Sequence, residues 1–230
     1  MTQPIYADTP AAFICPKPTT FTVTYGTRAK VLVDQYANAN ASGSLPSYYG
    51  GCTVLDLVAS STDASNRDLE IYVATVLYTT GSSDSIAING TNITRTTGSF
   101  LTDGFRVGDL FMAFAADNVS RNGDDGILGI ITAVAALQLD FNGTPYSNVG
   151  EHFNNGTRLC TVGLRLRAPI AANSGNGTIP NVSLLNNAMD TAQCRFEQKL
   201  GANNLLIGRM PVAVGALPAT VTVVPTLARY

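Results

Sequence analysis

The side chains that could perform chemistry in this chain are few, and their spacing argues against catalysis. His152, the single histidine, follows Glu151 in "YSNVGEHFNNGT". As a general base it would have to serve a serine or cysteine nucleophile. Neither a G-x-S-x-G elbow nor a local catalytic-cysteine pattern occurs. Its loop-like surroundings predict a turn or surface histidine. Cys15, Cys52, Cys160 and Cys194 have no C-x-x-C spacing and no histidine partner nearby. They therefore write neither a zinc site nor a thioredoxin-like pair, and are expected to be buried small hydrophobes. The loop "ADNVSRNGDDG" could offer oxygen ligands to Ca²⁺ from Asp117, Asn122, Asp124 and Asp125. An EF-hand loop counted from Asn122 needs a glutamate where Ala133 stands, so a turn without metal is expected.

Paired carboxylates for glycoside hydrolysis would meet in space rather than in sequence, and the chain has no tryptophan to serve as a sugar platform. Tyr25, Tyr48, Tyr49 and Tyr146 could supply stacking in its place. There is no glycine-rich phosphate loop, Walker lysine or dinucleotide fingerprint. Sequons at Asn89, Asn92, Asn118, Asn142, Asn155, Asn176 and Asn181 read as by-products of Asn-Gly-Thr turns. The expectation is a protein that is not an enzyme, with no catalytic residues, no cofactor and no metal.

Composition narrows the partners. Charged residues are only 13% of the chain, so much of the surface must be Ser, Thr, Asn and Gly. Fourteen Lys and Arg against sixteen Asp and Glu leave no basic run to neutralise a row of phosphates, which argues against nucleic acid. The run from Met210 to Ala228 is interrupted by Pro211, Gly215, Pro218 and Pro225, which a membrane helix would rarely carry. The opening "MTQPIYADTPAAF" lacks the basic and apolar regions of a secretory signal, so folding in a reducing compartment is expected.

The elements that must hold these residues are mostly strands. Phe21, Val23 and Tyr25 alternate with threonines, and "AKVLVDQY" follows a turn at Gly26. "CTVLDLVAS" and "LEIYVATVLY" are β-rich runs separated by "STDASNRD", a β-hairpin or β-corner. In the second run Leu69, Ile71, Val73 and Leu77 would face one side and Tyr72, Ala74, Val76 and Tyr78 the other. Both faces are apolar, which predicts a buried central strand. Asn89-Gly90 predicts a two-residue type I′ hairpin turn. One segment breaks the period. Leu185, Ala188, Met189, Ala192, Phe196 and Leu200 recur at three and four residues, predicting one amphipathic helix over 183–200, capped near Asn181 or Ser183 and closed by Gly201.

The expected fold is mainly β, an antiparallel β-sandwich or β-barrel with one short amphipathic helix and extended terminal arms. Residues 1–20, rich in proline, form the N-terminal arm. Residues 21–207 form the β-rich core, divisible into two subdomains meeting near 81–98. Residues 208–230 form a C-terminal arm whose prolines leave only short strands. Arms of this kind predict contact between subunits, through Pro16, Pro18, Val212, Val214, Val221, Val223 and Tyr230, with Tyr48 and Tyr49 as loop contacts.

Residues Phe100 to Leu139 read as one unit: "FLTDGFRVGDLFMAF", a polar excursion, then "ILGIITAVAALQLDF". This unit resembles a recurring module of tailed-bacteriophage virion proteins, of the form G-F-x-x-G-D, strand, N-G loop and I-x-x-V-x-x-x-x-L-x-L return. The matching positions are Gly104, Phe105, Gly108, Asp109, Asn122, Gly123, Ile131, Val134, Leu137 and Leu139. The helix at 183–200 is not part of it. "VLDLVASSTDASNRDLEIYV" is also similar, less specifically, to the amino-terminal strands of some phage structural proteins. The resemblance implies a structural virion protein assembled in the bacterial host cytoplasm. A capsid decoration or cement protein fits best, binding the major capsid protein and itself, with a homotrimer favoured by lattice symmetry. Within the structural class a tail-tube, tail-terminator or neck protein is the rival; from another class, a glycan-binding or glycan-cleaving virion protein. Asp109 in this unit is expected to cap a turn, with Phe105, Leu110, Met112 and Phe114 as core and strand positions.

Overall fold

A computed structural model describes residues 12–14, 18–23, 29–34, 52–79, 86–89, 91–114, 127–143, 151–153, 158–184, 198–201 and 203–229. They build two antiparallel sheets. The six-stranded sheet runs β1 (Ala12–Ile14), β16 (Val221–Arg229), β4 (Cys52–Ser61), β13 (Val182–Ser183), with β2 (Thr19–Phe21) also on β16 and β14 (Gln198–Leu200) also on β4. The ten-stranded sheet runs β11 (Glu151–Phe153), β6 (Ile86–Asn89), β7 (Asn92–Arg95), β10 (Gln138–Gly143), β9 (Ile127–Val134), β8 (Leu110–Phe114), β12 (Arg158–Ile170), β5 (Arg67–Thr79), β15 (Asn204–Arg209), β3 (Ala29–Asp34). One helical turn, α1 (Phe100–Asp103), precedes β8. The architecture is the sandwich of the two expected alternatives, without barrel closure.

Alternation explains the sandwich. Val54, Leu57 and Ala59 of β4 and Val221, Val223 and Leu227 of β16 meet Leu69 and Ile71 of β5, Ala168 and Ile170 of β12, and Leu206 of β15 in one buried cluster. On the opposite face of β5, Tyr72, Ala74 and Val76 join Met112, Cys160, Leu205 and Ile207 in another. A strand with β12 on one side, β15 on the other and apolar side chains on both faces is the buried central strand its sequence predicted. Tyr78 departs from that pattern. Leu159 pairs with Tyr78 and Cys160 with Val76, so Leu77 is a bulge residue, and Leu77 and Tyr78 both enter a third cluster built on β6 to β10. That cluster occupies the region of the expected second subdomain, yet the ladder from β8 to β12 carries one sheet through both parts.

The C-terminal segment is not an arm. β16 lies inside the six-stranded sheet, paired with β4 along its length and with β2 and β1 on its other side. Pro225 is tolerated for a local reason. β2 covers Val221 to Val223 and β1 covers Leu227 to Arg229, which leaves Pro225 in the gap between them. Opposite it, the Leu57 N–H donates to Asp56 Oδ1 at 2.8 Å instead of across the ladder. Leu57 and Pro225 therefore form a non-hydrogen-bonded pair, and the missing N–H costs no ladder bond.

Two other expectations shift. Ser183 and Leu200, at the ends of the expected helix, are in strands that pair with β4, because a β4 edge there supplies backbone partners. Residues 185–197 between them lie outside the described residues. The β6–β7 hairpin forms, but Asn89 is itself in the ladder, paired with Asn92, where a turn position was expected.

The segment "STDASNRD" is a corner that passes from one sheet to the other, and Asp63 anchors it. Its buried carboxylate accepts from Arg67 Nε at 2.7 Å, from the Gly215 N–H at 2.7 Å and from the Ser65 N–H at 2.9 Å. Its carbonyl accepts from the Asn173 N–H at 2.9 Å. Three separate segments, the corner itself and those of Asn173 and Gly215, thus meet at one residue. The Arg67 bond, aided by the two main-chain donors and opposed by burial, lowers the Asp63 pKa from 3.8 to about 2. A lowered folded-state pKa contributes stability that is complete above the unfolded value and lost as pH falls through about 2. Asp63→Asn should cost about 1–3 kcal/mol at neutral pH and flatten the acid limb of a thermal-stability profile. An unchanged acid limb in the variant would show that other groups govern it.

Because β16 is internal, truncation of residues 210–230 should abolish cooperative thermal unfolding, not merely weaken assembly. A normal melt for the truncated chain would contradict the placement of β16.

Candidate partner interface

The unit from β7 to β10 is organised around two glycines that reverse the chain. Gly104 (φ 99°) ends α1, and Gly108 (φ 94°) turns the chain into β8. Both conformations are readily available only to a residue without Cβ. The turn hangs on the sheet by main-chain bonds. The Gly108 N–H donates to the Ile131 carbonyl and the Ile131 N–H to the Asp109 carbonyl, both at 2.9 Å. The Phe100 N–H donates to the Ala136 carbonyl at 2.9 Å, and the Arg95 N–H to the Leu137 carbonyl at 3.1 Å. Asp109 also donates its N–H to the Arg106 carbonyl at 3.2 Å. It serves the turn through its main chain, where a capping carboxylate was expected.

Inside the unit the rings of Phe100, Phe105, Phe111 and Phe141 follow one another at centroid separations of 5.7, 6.2 and 5.6 Å, the first two edge to face. Tyr78, turned inward by the Leu77 bulge, meets Phe100 edge-on at 6.4 Å. Arg95 crosses this aromatic core. Its side chain is 1% exposed, and its guanidinium carbon is 4.2 Å from the Phe100 ring centroid and 4.5 Å from that of Tyr78. Its Nη1 donates to Asp103 Oδ2 at 2.6 Å, so the buried charge is paired and faces two π systems. A Cβ at Gly98 would stand 3.0 Å from Nη2, which leaves room for little but glycine there.

The outer side of the same unit carries large aliphatic side chains among its polar ones. Leu101, Val107 and Leu137 are 58%, 65% and 46% exposed, and Ala135 and Ala136 beside them are exposed as well. The hydrogen bonds from Phe100 to Ala136 and from Gly108 to Ile131 tie α1 and the turn to the β9–β10 end of the sheet. These side chains therefore stand on one rigid frame. The sequence signal for Arg95 was its inward position two residues after Ile93 in "NITR"; for the rim there was none beyond the module boundaries.

The expected contact residues divide. Val214, Val221 and Val223 are buried in the sandwich core, because β16 is an internal strand and Val214 joins the same buried cluster; they are corrected from partner contacts to core. Val212 and Pro18 are exposed, while Pro16, Tyr48, Tyr49 and Tyr230 lie outside the described residues. His152 is in β11, a strand at the edge of the ten-stranded sheet, and not in a loop. Asp117, Asn122, Asp124 and Asp125 lie outside the described residues, as do Tyr25, Tyr146, Cys15 and Cys194. Cys52 and Cys160 are buried, as expected of small hydrophobes, and burial pushes the Cys160 thiol up to about 12. Among the described residues, no three His, Cys, Asp or Glu side chains gather as a metal site, and no helix is long and apolar enough to cross a membrane. No protein-family model and no curated protein matches the chain.

Asp103→Ala leaves the Arg95 charge buried without its carboxylate and should cost about 3 kcal/mol. Arg95→Met, which removes the charge while keeping the bulk, should cost less. Urea unfolding of the two variants would measure the order, and the reverse order would refute the ion pair as the anchor of the unit.

Proposed function

We propose that this chain is a structural virion protein of a tailed bacteriophage, acting as a capsid decoration protein that seats the apolar rim of Leu101, Val107 and Leu137 on the outer shell. One observation carries the choice of surface: large aliphatic side chains are exposed on a turn whose backbone is bonded to β9 and whose inner face is a packed aromatic core. Burying such a side chain fully is worth about 1.5–3 kcal/mol, so three of them can anchor a contact. The likeness of the same unit to a phage virion module supports the class of particle. With Val214, Val221 and Val223 committed to the core, the rim takes the role expected of the C-terminal arm.

Leu101→Asp combined with Val107→Asp should leave the thermal melt close to that of the unaltered chain and remove it from purified particles. Electron microscopy of virions should show its density on the shell. Density along the tail or at the neck would favour a tube, terminator or neck protein instead, and release of oligosaccharide by the isolated chain would favour a glycan-cleaving one.

A further inference from the structure

β12 is paired by β5 from Arg158 to Ile170, but β8 covers its other side only from Arg158 to Thr161. Among the described residues, no strand pairs with residues 162–170 on that side, an edge of about 30 Å. Gly163, Leu164, Arg165, Arg167 and Pro169 along it are exposed. Such an edge carries main-chain donors and acceptors that a second chain could satisfy, and its defences are informative.

Along this edge the ladder shifts register at one residue. Leu164 pairs with Tyr72 and Leu166 with Ile71, so Arg165 has no partner in β5. Cys160 and Val162 pack on one face of the sheet. Leu166, Ala168 and Ile170 pack on the other, in the sandwich core. Even-numbered side chains therefore change face at Arg165. Without that residue, strict alternation would carry the same side chains to the same faces against the same β5 partners. Arg165 adds nothing to the ladder or the core. What it changes is the open edge, which it bends and charges, while Pro169 further along supplies no N–H.

We infer that the Arg165 bulge, together with Pro169, keeps the open edge of β12 from pairing with the same edge of a second copy of this chain. A two-fold pairing of these edges would need straight strands and would bring Arg165 and Arg167 of one copy beside those of the other. Arg167 is held on its own subunit by Asp68, at 2.7 Å, so Arg165 is the cation that a second strand would have to accommodate.

The test compares the unaltered chain with a deletion of Arg165 and with a double substitution, Arg165→Val and Pro169→Val. Sedimentation velocity across a concentration series reads self-association, and hydrogen exchange reads the amides of 163–168. The expected result is self-association about tenfold tighter than that of the unaltered chain, with new protection at those amides. Variants that match the unaltered chain would overturn the inference. So would association without new protection at 163–168, which would place the contact elsewhere. If the deletion does not fold, the double substitution, which keeps the chain length, decides by the same readouts.

Discussion

The β5–β12 ladder serves both halves of the molecule, and the bulge at Leu77 is what makes that possible. Leu69 and Ile71 of β5, with Ala168 and Ile170 of β12, close the sandwich against β4 and β16. Farther along the same pair, Leu77, Tyr78 and Leu159 enter the aromatic cluster of the β6–β10 unit. Two perfectly regular strands would carry Tyr78 to the face of Tyr72, Ala74 and Val76. The extra residue at Leu77 turns it inward, opposite Leu159. Bulges also increase local twist. One ten-stranded sheet continues from the sandwich into the second packed unit through the β8–β12 ladder.

Arg95 depends on that arrangement. A guanidinium in an aromatic core is tolerable only with a carboxylate and ring faces in place together, since an unpaired buried charge is strongly unfavourable. Tyr78 comes from β5, Phe100 and Asp103 from α1, and all three must be positioned before the charge is accommodated. The site therefore selects one docking of α1 on the sheet. That docking fixes which side chains face outward: Phe100 and Phe105 are taken into the core, and Leu101 and Val107 are left on the surface.

What the sequence made legible follows from how local each cause is. The alternation of Leu69, Ile71 and Val73 against Tyr72, Ala74 and Val76 was readable because it depends on strand period alone. Gly104 and Gly108 were readable as turn positions because their φ values exclude most other residues. Tyr78 was not, since its direction is set by pairing with Leu159, far along the chain. Pro225 misled for the same reason: composition says that proline interrupts a strand, but whether a neighbour needs the missing N–H depends on where β1 and β2 stop. The three- and four-residue spacing that predicted a helix up to Leu200 likewise could not reveal that β4 has a free edge at Cys52 to Val54 for β14 to occupy. The expected contact valines were apolar in a segment of low charge, a description that fits an exposed clamp and an internal strand equally well.

Taking β16 into the sheet changes the kind of binding that is open to this chain. An extended arm gives up roughly 1–2 kcal/mol of backbone entropy per residue when it is ordered on a partner. The rim of Leu101, Val107 and Leu137 has already been ordered by folding: its backbone is bonded to β9 and to the β9–β10 turn, and its inner neighbours are locked ring against ring. Only side-chain rotamers remain to be restricted there, so a small apolar contact can be productive where an arm of the same area would be marginal. A rigid protrusion also recognises a fixed depression and not a variable surface. Repeated, geometrically identical sites, as on a lattice, are the setting in which that property is most useful.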